Sequence, residues 1–331
     1  MRRLIPVVWA ALAACGTNPP KQDAPFVSSL SIPPDAVSPL RNWLEGFQSL
    51  EGNFEFKTRS VKDEREVEQL EISFPSALQT DRVELNTASF QLWRPISKSP
   101  SPAVIVVHPL GGPTPPVEEV CASFARNGVA AAMVILPYYG SRRPAGADRS
   151  EVLAAASVET LVAFLRQSAA DIRRARDALA RLPSIERDRI GVFGISLGAV
   201  VASLAAGVDG NFRSCVSVVG GGDLASIIFN GSREAAAFRA AFERDGLDEE
   251  TARRLLRGVD PLTYAHRIGA GRTKLYNCDG DEVIPKRCAE ALAEQAGRAP
   301  IRWFPGGHKW IALYTPEIVI ETAMRLKNGG E

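Results

Sequence analysis

One pattern constrains the fold of this chain more than any other. From residue 102 onward, short continuous apolar runs alternate with stretches of helical periodicity. The apolar runs lie at residues 103–107, 129–136, 190–193, 214–219, 274–277 and 301–304. Runs of this length without apolar/polar alternation are typical of parallel strands that are buried on both faces. The sequence therefore predicts an α/β fold with a mostly parallel, doubly wound sheet and right-handed crossovers.

Two β-rich segments, residues 67–74 and 83–93, precede this pattern and predict a leading antiparallel hairpin, which brings the sheet to about eight strands. Helical periodicity occurs at residues 117–126, 151–181, 197–206, 286–296 and 316–327. An unbroken helix over 151–181 would be about 46 Å long, which is longer than such a domain needs. We therefore expect a break within it.

The connection over residues 224–271 is much longer than the others and is helical in pattern. It lies between the fourth and fifth predicted parallel strands. A connection of this length inside a compact domain is usually a functional excursion. We therefore expect a helical lid insertion at 224–271 within a single domain of residues 41–331.

The first residues have the layout of an export signal. Two arginines precede an uncharged apolar stretch that ends at Ala14 and is too short to span a membrane. Residues 12–15, LAAC, resemble the lipobox of bacterial lipoproteins. The resemblance implies a signal peptide at 1–14 and a lipid anchor, including palmitate, on Cys15. An ordinary signal peptide with an incidental cysteine is the alternative.

Gly16 stands where an aspartate would retain a lipoprotein at the inner membrane, so the same resemblance implies the outer membrane, facing the periplasm. Residues 15–40 are rich in proline and predict a semi-extended tether between the membrane and the folded body.

Composition excludes other classes of function. Lys plus Arg number 39 against 38 for Asp plus Glu, so no basic excess is present for binding nucleic acid. With three histidines, and five cysteines in no CxxC spacing, we expect no metal site. Cys278 and Cys288 either pair as a disulfide or stay separate buried thiols.

A G-x-S-x-G sequence at residues 194–198 follows the third apolar run and begins a helical pattern. A serine on a sharp strand-to-helix turn has a strained backbone, and Gly194 and Gly198 remove the Cβ atoms that would clash there. The helix directs its first N–H groups at the site, where they stabilise negative charge. The pattern indicates Ser196 as a nucleophile, whereas a plain tight turn is the alternative.

A serine hydroxyl needs a base, and the base needs an acid that holds its tautomer. After a nucleophile of this kind, the expected chain order is acid and then histidine. Asp281 and His308 follow the last two apolar runs, at strand ends where catalytic groups gather in such sheets. Asp279 and Asp223 are the competing acids.

These residues together resemble the α/β-hydrolase superfamily, of the dienelactone hydrolase and esterase kind, over residues 67–331. The family's acid lies in D-x-x-(V/I)-P, which Asp281 matches, and its base follows a glycine pair, which His308 matches. The resemblance implies a serine hydrolase without a cofactor. His266, in the lid, and His108 are expected to be structural.

The resemblance also implies an oxyanion hole made by two backbone N–H groups. Leu197 supplies the first. The second comes from the turn at 108–112, where Pro109 has no N–H. Leu110 is the matching donor, with Gly111 as the reserve.

Residues 136–144 are similar to a P-Y-Y-G-x-R-x-P stretch that borders the active site in some α/β-hydrolase proteins. The similarity implies that Tyr138 and Arg142 contact substrate. Arg142 or Arg143 would then bind an anionic group of the substrate. The alternative is a turn whose aromatic residues pack in the core.

The sequence as a whole predicts a serine esterase that acts on carboxylic esters, lipid and cell-envelope acyl esters included. A peptidase of the prolyl-oligopeptidase type is disfavoured because too little chain precedes the first parallel strand for a propeller domain. A non-catalytic envelope lipoprotein that uses the fold for binding is the alternative from another class.

Overall fold

The structure is a computed structural model that describes residues 57–63, as backbone only, and residues 67–144 and 157–329. The predicted signal peptide at 1–14, Cys15 and the tether at 15–40 lie outside the described residues, and they stay predictions. Within the described ranges no helix is both long and apolar enough to cross a bilayer.

The described chain forms one sheet of nine strands. The strands are β1 Lys57–Asp63, β2 Val67–Pro75, β3 Thr87–Pro95, β4 Ser101–Val107, β5 Ala130–Val134, β6 Ile185–Ile195, β7 Cys215–Val218, β8 Thr273–Cys278 and β9 Ile301–Phe304. Their order is β1-β2-β3-β5-β4-β6-β7-β8-β9. The α/β-hydrolase fold predicted from the sequence is confirmed, with one more strand than expected because β1 pairs with β2.

The first three strands are antiparallel, and β3 joins the rest of the sheet antiparallel to β5. From β5 to β9 every pairing is parallel. Strand β4 is buried along its whole length, as expected for a parallel strand covered on both faces. Because β4 lies between β5 and β6, the strand order reverses there. The carboxyl ends of β4 and β6 consequently meet where such sheets form their sites.

Eight α-helices occur in the described ranges. They are α1 Pro115–Arg126, α2 Val158–Ala180, α3 Leu197–Asp209, α4 Leu224–Asn230, α5 Glu234–Arg244, α6 Glu249–Leu256, α7 Lys286–Gln295 and α8 Ile311–Lys327. Helix α1 packs against α8, and α2 packs against α3. These helix pairs cover the sheet. Because the parallel strands are covered, their sequences contain continuous apolar runs.

Helix α2 begins later than the helical pattern over residues 151–181. Its N-cap, Ser157, has an extended backbone, and the helix is continuous from Val158 over 23 residues. The segment 151–181 is therefore not one unbroken helix, as expected. Polar positions lie on the buried face of α2. Gln167 and Asp171 are buried and hydrogen-bonded to Ser76, which lies just after β2.

The predicted lid consists of α4, α5 and α6, followed by short 3-10 turns that lead to β8. Its two ends are tied together by Asp260, a buried carboxylate. The Asp260 oxygens accept the backbone N–H groups of Asp223 (3.1 Å) and Leu224 (2.6 Å) at the start of α4. The segment is therefore a packed part of the domain with a fixed base.

The four cysteines in the described ranges are free and buried: Cys121, Cys215, Cys278 and Cys288. Of the two alternatives for Cys278 and Cys288, the structure has separate thiols. Burial raises the pKa of both thiols to about 11.

Candidate active site

Ser196 lies on a sharp turn between β6 and α3. Its backbone has φ 55° and ψ −119°, a conformation that is costly for a residue with a side chain. The turn is possible because its flanks are glycines. A Cβ on Gly194 would lie 2.1 Å from the carbonyl oxygen of Gly198, and one on Gly198 would lie 2.1 Å from that of Val107. The G-x-S-x-G spacing is thus a steric requirement of this turn.

Three side chains that are distant in sequence form one hydrogen-bonded chain. The Nε2 atom of His308 is 2.9 Å from Ser196 Oγ. On the other side of the ring, Nδ1 is 2.9 Å and 2.8 Å from the two carboxylate oxygens of Asp281. Nδ1 therefore carries the proton that it donates to the carboxylate, and Nε2 is left to accept the proton of the serine hydroxyl.

Asp281 is held in place by its own loop. Its Oδ1 accepts the backbone N–H groups of Val283 and Ile284, each at 2.9 Å. The side chain is only 2% exposed. Hydrogen bonds from backbone donors fix the carboxylate at the end of β8, opposite the histidine loop that follows β9.

The two competing acids, Asp279 and Asp223, have other partners. Asp279 accepts the backbone N–H of Gly306 at 3.2 Å, which shapes the same loop from outside. Asp223 caps α4 through the N–H of Ser226 and forms an ion pair with Arg253. The structure therefore places Asp281, and neither competitor, against His308.

The other two histidines are outside the hydrogen-bonded chain. His266 is exposed on the lid. His108 is fully buried, donates through Nδ1 to the carbonyl of Pro109 (2.9 Å) and accepts the N–H of Leu136 at Nε2 (3.3 Å). Burial lowers the pKa of His108 to about 4, so its ring is neutral. It joins the loops after β4 and β5.

The predicted oxyanion donors border the serine. Leu197, Leu110 and Gly111 line the same cavity as Ser196. The turn after β4 is closed by a hydrogen bond from the N–H of Gly112 to the carbonyl of Pro109 (2.9 Å). No protein acceptor is found in the described ranges for the N–H of Leu197, Leu110 or Gly111. Both candidates for the second donor thus stay open to a ligand.

The predicted substrate contact of Arg142 requires correction. Its guanidinium is buried, pairs with Asp171 Oδ2 at 2.8 Å, and donates to the carbonyls of Ile135 (3.1 Å) and Leu85 (2.6 Å). A guanidinium enclosed by protein oxygens cannot reach a ligand. The predicted role of Arg142 in substrate binding is therefore wrong.

The predicted contact of Tyr138 is corrected as well. The half-buried Tyr138 packs its ring toward Phe164, with the ring centroids 6.5 Å apart, and it is absent from the cavity wall. The next residue, Tyr139, is buried edge-on to His108 at 4.7 Å. The turn with packing aromatic residues, the alternative noted from sequence, describes this segment.

A cavity of about 330 Å³ opens beside Ser196. Its wall is almost entirely aliphatic and aromatic. Helix α2 contributes Leu161 and Leu165, and the lid contributes Ile227, Ile228 and Phe238. Such an apolar wall with few polar groups is typical of a small-molecule site.

Sequence reasoning missed Glu282. Its carboxylate accepts the backbone N–H of His308 (2.9 Å) and pairs with Arg233 of the lid (3.0 Å). Its carbonyl accepts both the N–H and the hydroxyl of Ser232, each at 2.8 Å. The hydrogen bond from His308 lowers the pKa of Glu282. Glu282 thus joins the histidine loop to the turn between α4 and α5 of the lid. In the sequence, only its position beside Asp281 could have indicated this role.

No group of three or more His, Cys, Asp or Glu side chains in the structurally described chain is arranged to hold a metal ion.

Comparison with family models gives a match over part of the chain. Residues 91–237 match the family model of the dienelactone hydrolases. No curated protein sequence matches the chain.

Several solved structures share the fold. Acetyl xylan esterase from Paenibacillus sp. R4 is 18% identical, with a TM-score of 0.69 over 89% of this chain and 98% of its own. Acetyl xylan esterase 1 from Thermoanaerobacterium sp. JW/SL YS485 is 16% identical, with a TM-score of 0.60 over 89% and 96%. Est1E from Butyrivibrio proteoclasticus, solved with ferulic acid, is 15% identical, with a TM-score of 0.53 over 73% and 96%. The protein has the α/β-hydrolase fold, and its residues 91–237 carry the match to the dienelactone hydrolase family.

Proposed function

We propose that the protein is a serine hydrolase of carboxylic esters. The observation that carries the proposal is the hydrogen-bonded chain from Asp281 through His308 to Ser196, which ends at an apolar cavity. A buried carboxylate, an imidazole and a hydroxyl in this order are the arrangement that activates a serine for acyl transfer.

The proposed reaction has two halves. Ser196 Oγ attacks the ester carbonyl while His308 Nε2 takes the hydroxyl proton, and Asp281 stabilises the imidazolium that forms. The N–H groups of Leu197 and of Leu110 or Gly111 stabilise the oxyanion. His308 returns the proton to the leaving alcohol, and the ester bond breaks. Water then attacks the acyl-enzyme by the same steps and releases the acid and Ser196.

The wall of the cavity supports an apolar acyl group as the substrate part that it binds. Leu165, Ile228 and Phe238 offer it aliphatic and aromatic surface. Burying apolar area contributes about 25 cal/mol per Å², so acyl chains longer than acetyl gain affinity there. Lipid and cell-envelope acyl esters belong to this class. The structural neighbours named as esterases support the reaction type.

We also propose that Cys15 is lipidated and anchors the protein in the outer membrane, facing the periplasm. The support is the sequence of residues 1–16 alone. Metabolic labelling with a palmitate analogue tests it: we expect label on the wild-type protein and none on C15S, with fractionation to the outer membrane lost in the variant. Equal labelling of both would overturn the proposal.

A fluorophosphonate probe tests the catalytic proposal. It should label the wild-type protein and the control S99A, whose serine is exposed on a loop, but not S196A. Hydrolysis of p-nitrophenyl hexanoate should follow the same order. D281N should lower kcat by about 10⁴-fold, because the amide favours the wrong tautomer of His308. An unlabelled, inactive wild-type protein with a normal far-UV spectrum would support the non-catalytic binding protein instead.

A further inference from the structure

The wall of the apolar cavity carries one carboxylate. Glu234, in the first turn of lid helix α5, lines the cavity together with Ser196 and His308. Its Oε2 atom is shielded from solvent and has no hydrogen-bond partner among the described residues. Its Oε1 atom lies 4.0 Å from the ammonium of Lys309. A shielded carboxylate oxygen without a protein donor calls for an explanation.

The neighbouring cation does not make the cavity attractive to anions. Among the described residues Lys309 is the only lysine or arginine on the wall, and it already faces Glu234. The Lys309 side chain is 70% exposed and that of Glu234 is 38% exposed, so water screens the ammonium more strongly than the carboxylate. The nearby Arg233 is paired with Glu282. A substrate carboxylate entering the cavity would lose its hydration and meet the negative charge of Glu234, and no described residue of the wall offers it a free cation.

We propose that Glu234 determines the charge specificity of the site. It excludes esters whose acyl group carries a carboxylate and leaves neutral acyl esters as the substrate class. The inference rests on the proposed esterase function. The sequence predicted an anionic substrate because Arg142 was expected to bind a ligand. The inference from the structure is the opposite, and it follows from the side chains that line the cavity.

Two p-nitrophenyl esters of equal chain length test the inference. p-Nitrophenyl hexanoate is neutral, and p-nitrophenyl hydrogen adipate ends in a carboxylate. The wild-type enzyme should prefer the neutral ester. E234Q keeps the shape of the side chain and removes its charge, so kcat/KM for the adipate should rise about tenfold while that for the hexanoate changes by less than about twofold.

Two further variants sharpen the test. E243Q makes the same charge change on the exposed side of the same helix and should leave the ratio of the two kcat/KM values at the wild-type level. K309Q removes the partner of Glu234 and should widen the preference for the neutral ester. Thermal unfolding of each variant checks that the fold is retained.

The possible outcomes distinguish a failure of the charge-specificity proposal from a failure of the proposed esterase function. An E234Q ratio equal to that of the wild type and of E243Q would overturn the inference while leaving the esterase in place. The same would hold if E234Q changed both esters alike, since that is a structural effect. A wild-type protein that hydrolyses neither ester and takes up no fluorophosphonate at Ser196 would overturn the proposed function, and this inference with it.

Discussion

Removing Arg142 should destabilise the protein without impairing its catalytic site. The side chains of Arg142 and Asp171 are 1% and 0% exposed, and they form an ion pair of 2.8 Å. Breaking a buried pair by removing one partner costs about 3–5 kcal/mol, because a charge is left buried without compensation. That loss is a large fraction of the 5–15 kcal/mol that holds a typical domain folded.

The surroundings place R142A at the lower end of this range, about 3 kcal/mol. Asp171 keeps two donors, the Ser76 hydroxyl at 2.8 Å and the Ala77 N–H at 2.9 Å. The carbonyl of Leu85 keeps the Gln167 amide at 3.0 Å. Among the described residues, the acceptors left without another partner are the carbonyl of Ile135 and Asp171 Oδ2.

Urea unfolding followed by tryptophan fluorescence measures the loss, and kcat/KM on a neutral ester, per folded molecule, should stay within about twofold of the wild type. The matched control is R143A, since Arg143 is the exposed neighbour and its removal should change the free energy of unfolding by less than about 0.5 kcal/mol. R142A that unfolds like the wild type but raises KM for an anionic ester would refute the reasoning and return Arg142 to substrate binding.

Three other predictions concern the site and its support. G198A should lose about 4 kcal/mol or more, because the added Cβ would lie 2.1 Å from a backbone oxygen of β4, whereas G271A, with no atom within 4 Å of its Cβ, should fold normally in the same urea assay. The pKa of His108 is lowered from 6.5 to about 4, so the stability it contributes is complete above pH 6.5 and is lost as the pH falls toward 4. The free energy of unfolding should fall between pH 7 and pH 4.5, and the fall should be about 2 kcal/mol smaller in H108Q than in the wild type. Urea titrations at the two pH values measure both falls, and equal falls would contradict the prediction. E282A should lower kcat about tenfold with little change in KM, because the His308 N–H loses its acceptor. E282Q should restore most of kcat, because its amide oxygen can still accept the His308 N–H. An equal loss of kcat in E282A and E282Q would show that the ion pair of Glu282 with Arg233 is what matters.

The order of strands and helices could be predicted from the sequence because its physical cause is local. The part of a parallel strand that is covered on both sides is apolar, so the apolar runs located β4 to β9, although β6 begins five residues before its run with the polar stretch 186–189. The elbow was predictable for a similar reason, since crowding at Ser196 admits only glycine at two fixed positions. The hydrogen-bonded side chains followed from their places at the ends of strands.

What sequence reasoning missed depends on contacts between distant segments. The role of Arg142 is decided by Asp171 on a different element, and no local pattern reports that ion pair. Glu282 acts through the backbone of His308, which carries no residue-type signal. Gln167 and Asp171 likewise lie on the buried face of α2 because Ser76 hydrogen-bonds to both of them, and no local pattern reports that contact.

The four thiols of the described ranges are enclosed and are poor targets for alkylating reagents in the folded protein. Burial raises the pKa of Cys215 to about 12, and the thiolate is the reactive form, so these four thiols should react little with maleimide or iodoacetamide at neutral pH. Each alkylated thiol counted by mass spectrometry would therefore mark a stretch of chain that has opened. The cysteines of the described ranges lie on α1, β7, β8 and α7, so the sites of modification would report in which order these parts of the molecule come apart.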